Sequence, residues 1–140
     1  MNKAQVGNME HALNNGNRFY TEVNDKDWND LVDKGFATKR PGWESDMAYF
    51  VVTSEGKEAL ELTDFQVGKL KHCFGLDYSK KPYRNYYHCN QSNDEWEDLC
   101  VKGYAVKEVK GEREIIYSGT LKGLRKVFRR NASYKYFEAI

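Results

Sequence analysis

A chain of 140 residues, 40% hydrophobic and 14% aromatic, suits one compact domain or two small modules sharing a core. No run approaches the ~18 apolar residues of a membrane span, and the opening Met-Asn-Lys-Ala-Gln-Val-Gly-Asn holds no apolar signal region. The net charge of +1 hides an asymmetry: 7 basic and 11 acidic residues up to position 63, then 15 basic and 10 acidic.

The three cysteines, Cys73, Cys89 and Cys100, form an odd count without paired spacing, which favours reduced thiols and a cytoplasmic location over a disulfide framework. The charge asymmetry suits an anionic partner on the second half, or head-to-tail packing on another copy of the chain.

The first predicted element is an amphipathic helix, with Val6, Met9 and Leu13 at i, i+3 and i+7. Asn2 and Gln5 have capping-box spacing at its start. The same pattern returns after residue 62: Gln66-Val67-Gly68 repeats Gln5-Val6-Gly7, Thr63 stands where Asn2 does, and Val67, Leu70 and Phe74 form the apolar face. Glycine inside a helix is ~1 kcal/mol worse than alanine. Its recurrence at Gly7 and Gly68 predicts another backbone passing close by.

A linker follows in each copy. It runs from Asn14 to Arg18 in the first and from Gly75 to Asn85 in the second, six residues longer and punctuated by Pro82. Phe19-Tyr20 and Tyr86-Tyr87 then predict short extended pieces with aromatics turned inward.

The most telling stretch comes next. Residues 27–37, Asp-Trp-Asn-Asp-Leu-Val-Asp-Lys-Gly-Phe-Ala, recur as residues 95–105, Glu-Trp-Glu-Asp-Leu-Cys-Val-Lys-Gly-Tyr-Ala. An internal repeat decides the architecture. Trp28, Leu31, Val32 and Gly35, like Trp96, Leu99, Cys100 and Gly103, predict a helix whose glycine takes the left-handed position past its end. Asn24 with Asp27, and Ser92 with Glu95, have the spacing of N-cap pairs. The outer face is acidic, carrying Asp27, Asp30 and Asp33 in the first copy. A hairpin follows, turning at Pro41-Gly42 in the first copy and near Lys110-Gly111 in the second. Each copy closes on a short helix opened by Thr-x-x-Gly, at Thr53 and at Thr120. The tail, residues 131–140, has no counterpart and predicts an edge segment or a cover for a groove.

Leu31-Val32-x-Lys34-Gly35, a hairpin, then Val52-Thr53-x-x-Gly56 resembles the winged-helix domains of MarR-like regulators. That resemblance implies a recognition helix before the glycine and a wing in the hairpin. Phe74-Gly75-Leu76, residues 81–87 (Lys-Pro-Tyr-Arg-Asn-Tyr-Tyr) and Asp94-x-Trp96-x-x-Leu99-x-x-Lys102-Gly103 are similar to small proteins of bacteriophages and prophages. This implies a phage or mobile-element origin. The recognition-helix position departs from DNA readers, because its outward carboxylates repel phosphates.

The fold expectation is therefore α+β: two tandem, degenerate winged-helix-like repeats, 1–62 and 63–130, packed with pseudo-two-fold symmetry, plus the tail. The expected function is that of a non-enzymatic, phage-type accessory or regulatory protein binding nucleic acid through the basic second repeat. Its candidate contacts are Lys80, Lys81 and Arg84 in the loop, Lys107, Lys110 and Arg113 near the hairpin tip, and Arg125, Lys126, Arg129 and Arg130 near the end. Tyr78 and Tyr83 add stacking on unpaired bases. The alternative is a protein-interaction module, such as an inhibitor of a host factor, using the acidic face of the first repeat. No membrane partner is expected, and a homodimer is compatible.

His72-Cys73 and His88-Cys89 lack the spacing by which zinc ligands converge, so no metal and no cofactor is expected. No phosphate-loop, Gly-x-Ser-x-Gly or His-Glu-x-x-His motif is present, and no catalytic residue is assigned.

Overall fold

The computed structural model describes residues 1–140. The fold is α+β, and the chain divides into two compact units, Met1–Glu61 and Leu62–Ile140. The first runs α1 (Lys3–Asn14), β1 (Phe19–Glu22), α2 (Lys26–Asp33), β2 (Ala37–Pro41), β3 (Met47–Val52) and α3 (Ser54–Leu60). The second repeats that order as α4 (Asp64–Phe74), β4 (Tyr87–Cys89), α5 (Asp94–Val101), β5 (Ala105–Gly111), β6 (Glu114–Gly119) and α6 (Leu121–Val127), then adds α7 (Tyr134–Glu138). Each unit holds a three-stranded antiparallel sheet, ordered β1-β3-β2 and β4-β6-β5. In both, a strand separates the first two helices, so neither forms a helix-turn-helix. No helix is long and apolar enough to cross a membrane.

The helix starts follow from capping chemistry. The Asn2 and Thr63 side chains accept from the N–H groups of Gln5 and Gln66, whose side chains accept in return from the cap backbone. The second helices begin one residue later than the spacing suggested. Asp25 and Asn93, not Asn24 and Ser92, accept from the N–H groups of Trp28 and Trp96. The third position therefore holds tryptophan, not a carboxylate. The ends match expectation: Gly35 and Gly103 take φ of 80° and 84°. Phe36 N–H donates to Leu31 O, and Tyr104 N–H to Leu99 O, at 2.9 Å each, which satisfies the last helical carbonyls.

Each core is an aromatic stack under its sheet. Trp28 packs on Phe19 (5.2 Å) and Phe50 (5.4 Å), and Trp96 on Tyr87 (5.2 Å) and Tyr117 (5.3 Å), each pair being cross-strand neighbours. Both tryptophans are fully buried, and neither indole N–H finds an acceptor. Leaving such a group unpaired costs about 1–3 kcal/mol, which the stacked rings and buried area offset. The pairing places Tyr87, not Tyr86, in the position of Phe19. Equivalent residues are offset by 61 at Gln5 and Gln66 but by 68 at Asn17 and Asn85, so the second linker is seven residues longer. Those two asparagines do the same work. Each exchanges two hydrogen bonds with the last residue of the central strand, Asn17 with Val52 and Asn85 with Gly119.

Two glycine expectations came out differently. A Cβ at Gly7 or Gly68 would meet nothing within 4 Å, so no backbone passes there. The close approach is at the Thr-x-x-Gly helices instead. A Cβ at Gly56 would strike the Phe36 carbonyl, and one at Gly123 the Tyr104 carbonyl. Residues 131–140 fold into the second unit. Phe137 and Ile140 pack on a small core of Phe74, Leu124 and Ala132, together with Leu76 from the long linker.

Candidate functional site

The second unit brings one set of basic side chains together on α6. The start of α6 is bolted to the turn after α5. Thr120 N–H donates to Tyr104 O at 3.0 Å, and Thr120 Oγ1 donates to Gly103 O at 2.7 Å while accepting from Gly123 N–H at 3.1 Å. This holds Tyr104 against the helix. Lys122 Nζ then reaches back to Lys102 O at 2.7 Å and sits 4.4 Å over the Tyr104 ring. Arg125 and Lys126 follow one turn later on the same face. Arg125 Nε donates to Ala132 O at 2.9 Å, so the chain after α6 orients its guanidinium.

The result is an open groove of about 480 Å³ lined by Tyr104, Lys122, Arg125, Lys126 and Arg130, without a carboxylate. Positive charge gathered beside an aromatic ring attracts anions and presents donors to phosphate oxygens. The first unit reverses this charge. When Thr53 is aligned on Thr120, Glu55 and Glu58 stand where Lys122 and Arg125 do.

Three of the ten candidate residues, Arg125, Lys126 and Arg130, line this groove. Arg129 lies 5.1 Å over the Phe128 ring and is not among its lining residues. In the long linker, Lys80 and Lys81 are exposed, whereas Arg84 is half-buried and already engaged. Its Nε and Nη2 donate to the His72 carbonyl at 3.3 and 2.9 Å. Its guanidinium carbon also lies 5.5 Å from the Tyr83 ring and 5.7 Å from the Tyr86 ring.

The hairpin cations are partly neutralised. Lys107 Nζ is 3.0 Å from both Glu97 Oε1 and Ser92 Oγ, and Lys110 pairs with Glu108 at 2.9 Å. Burial pushes the Glu97 carboxyl up, but hydrogen bonds from Lys107 and Tyr117 outweigh it and hold the group below its ordinary value. Arg113 lines a separate polar cavity of about 650 Å³ with His88, Cys89 and residues 90–93.

The remaining polar candidates have structural partners. Asp30 accepts from Gln5 at 2.8 Å and pairs with Lys34 at 2.9 Å. His72 Nδ1 lies 2.5 Å from Asp77 Oδ2, which lowers the Asp77 pKa. Cys73 is fully buried, and burial pushes its thiol up to about 11, so it is no nucleophile.

Sequence reasoning missed Tyr104 and Lys122. Lys122, Arg125 and Lys126 at i, i+3 and i+4 were a readable stripe on one helical face. Tyr104 was not readable, because its place beside Lys122 depends on the Thr120 bonds. No family model matches the chain, and no curated protein or solved structure matches it.

Proposed function

We propose that the protein is a non-enzymatic accessory or regulatory protein of phage type that binds nucleic acid through its second unit. The supporting observation is the groove lined by Tyr104, Lys122, Arg125, Lys126 and Arg130, which gathers four basic side chains beside one aromatic ring. Phosphate contacts supply most of the affinity in such complexes. The second helix of the unit is a poor contact, since Asp94, Glu95, Glu97 and Asp98 fall on it. The three free cysteines fit a reducing compartment such as the cytoplasm.

Fluorescence anisotropy with labelled DNA and RNA at low salt tests the reading. Wild type binds, and Lys126→Glu with Arg130→Glu abolishes binding while the thermal melt is unchanged. Absence of binding at low salt, or binding indifferent to the double variant, overturns it.

A second reading, a protein-interaction module on the first unit, is favoured by Trp43. This residue is 88% exposed at the tip of the β2–β3 hairpin, next to a cleft lined by Val23, Pro41, Met47 and Ala48. Its neighbours Glu44 and Asp46 are acidic. A host-protein partner would contact this tip and the exposed Asp33. Loss of a nuclease-resistant partner on Trp43→Ala is the expected result; retention of that partner counts against it.

A further inference from the structure

We infer that the nucleic acid bound by the second unit is single-stranded, and that Tyr78, Tyr83 and Tyr86 of the long linker stack on its bases. This rests on the nucleic-acid reading and goes beyond it by naming the form of the ligand.

The linker is not needed to build the fold. The first unit forms the same three-stranded sheet and aromatic stack with seven fewer residues. The longer linker carries three tyrosines in solvent, Tyr78, Tyr83 and Tyr86 at 82%, 56% and 53% exposed, among Lys80, Lys81 and Arg84. Aromatic rings in water beside cations match a chain of unpaired bases on a phosphate backbone, because every base offers a π-face and every linkage a charge.

The part of the platform from Tyr83 to Tyr86 is anchored. Tyr83 N–H donates to Phe74 O at 3.1 Å and Tyr86 N–H to Cys73 O at 3.3 Å, so this part of the linker runs along the end of α4. Between them, Arg84 donates to the His72 carbonyl, and the Asn85 amide donates to Gly119 O and accepts from Gly119 N–H. Gly75, at φ 77°, leaves room for the Tyr83 ring, which a Cβ there would strike. Rings fixed before binding lose little entropy when a base settles on them. Arg84, between the Tyr83 and Tyr86 rings, adds charge at the stacking site.

The linker and the groove share a foundation. Leu76, at the start of the linker, packs on the same small core of Phe74, Leu124 and Ala132 as Leu121, Val127 and Phe128, which belong to α6 and its end. A flexible single strand turns its bases to the tyrosines and its phosphates to the cations beside them. A stiff duplex hides its base faces, and reading it needs a basic element in a groove. The unit has no helix-turn-helix, and its α5 is acidic.

The test compares one labelled sequence as a single strand and as a duplex, against full-length wild type, Tyr78→Ala with Tyr83→Ala, and Tyr78→Phe with Tyr83→Phe. The single strand is expected to bind at least tenfold tighter than the duplex at equal salt. The alanine pair should weaken the single strand about tenfold or more and leave the duplex unchanged, while the phenylalanine pair retains wild-type binding. Unchanged melting temperatures show that the fold is intact. Equal affinity for both forms, or indifference to the alanine pair, overturns the inference; if Lys126→Glu with Arg130→Glu still abolishes binding, the wider reading survives. Absence of binding to either form overturns both.

Discussion

Gln5 donates through Nε2 to the Asp30 carboxylate at 2.8 Å, and Gln66 does the same to Asp98 at 2.7 Å. Each glutamine also accepts from its own N-cap residue and donates to the backbone of the second helix, at Asp27 O and Glu95 O. One side chain thus caps the first helix and clamps it to the second. Gln5→Ala or Gln66→Ala removes both roles at a site 2% exposed. Each is expected to lower unfolding free energy by about 1–2 kcal/mol, read from urea midpoints at constant slope. A change below the scatter of the fits contradicts the clamp.

The clamp has a pH signature. The hydrogen bond from Gln5, then that from Lys34, lowers the Asp30 pKa from its ordinary 3.8. A carboxyl depressed in the folded state contributes stability above the unfolded value and loses it as pH falls through the folded value. The gap in stability between wild type and Gln5→Ala is therefore constant above pH ~5 and shrinks below pH ~4. Denaturant curves from pH 2.5 to 6 check this. A gap that widens on acidification contradicts it.

The glycines separate into two classes with opposite signs. Gly7→Ala and Gly68→Ala meet open space within helices, so each should stabilise by about 0.5–1 kcal/mol. Gly56→Ala and Gly123→Ala drive a methyl into a backbone carbonyl and should destabilise by about 1–3 kcal/mol. Thermal melts of the four variants decide the matter.

The thiols should react in order of burial. Cys73 is fully buried, with its pKa pushed up to about 11, whereas Cys89 is half-buried. Alkylation of the native protein followed by peptide mass mapping should find Cys89 modified well before Cys73. Urea should abolish the difference.

Much of the fold was legible because the repeat exposed it. Trp28 and Trp96 with their spaced leucines marked the helices, Gly35 and Gly103 their ends, and Thr53 and Thr120 the closing helices. The pairing of β1 and β4 was not legible. Four and three residues are too short to show a period. The capping shift from Asn24 to Asp25 was hidden because both residue types cap well. The glycine inference failed because Gly7 and Gly68 face solvent, where sequence alone cannot separate open space from close approach. Of the groove, the charges were readable along the chain. Their assembly with Tyr104 was not, since it depends on Thr120 bonds to residues distant in sequence. The neutralisation of Lys107 by Glu97 was equally invisible, because it crosses from strand to helix.

If the α6 groove holds nucleic-acid phosphates, the salt dependence of binding reports it. The slope of log affinity against log salt counts the phosphates neutralised, at roughly 0.7 per contact for a single strand. Lys126→Ala with Arg130→Ala should lower the magnitude of that slope by roughly 1.4 for a single strand. An unchanged slope, or the same loss from Lys107→Ala with Lys110→Ala, would contradict the account.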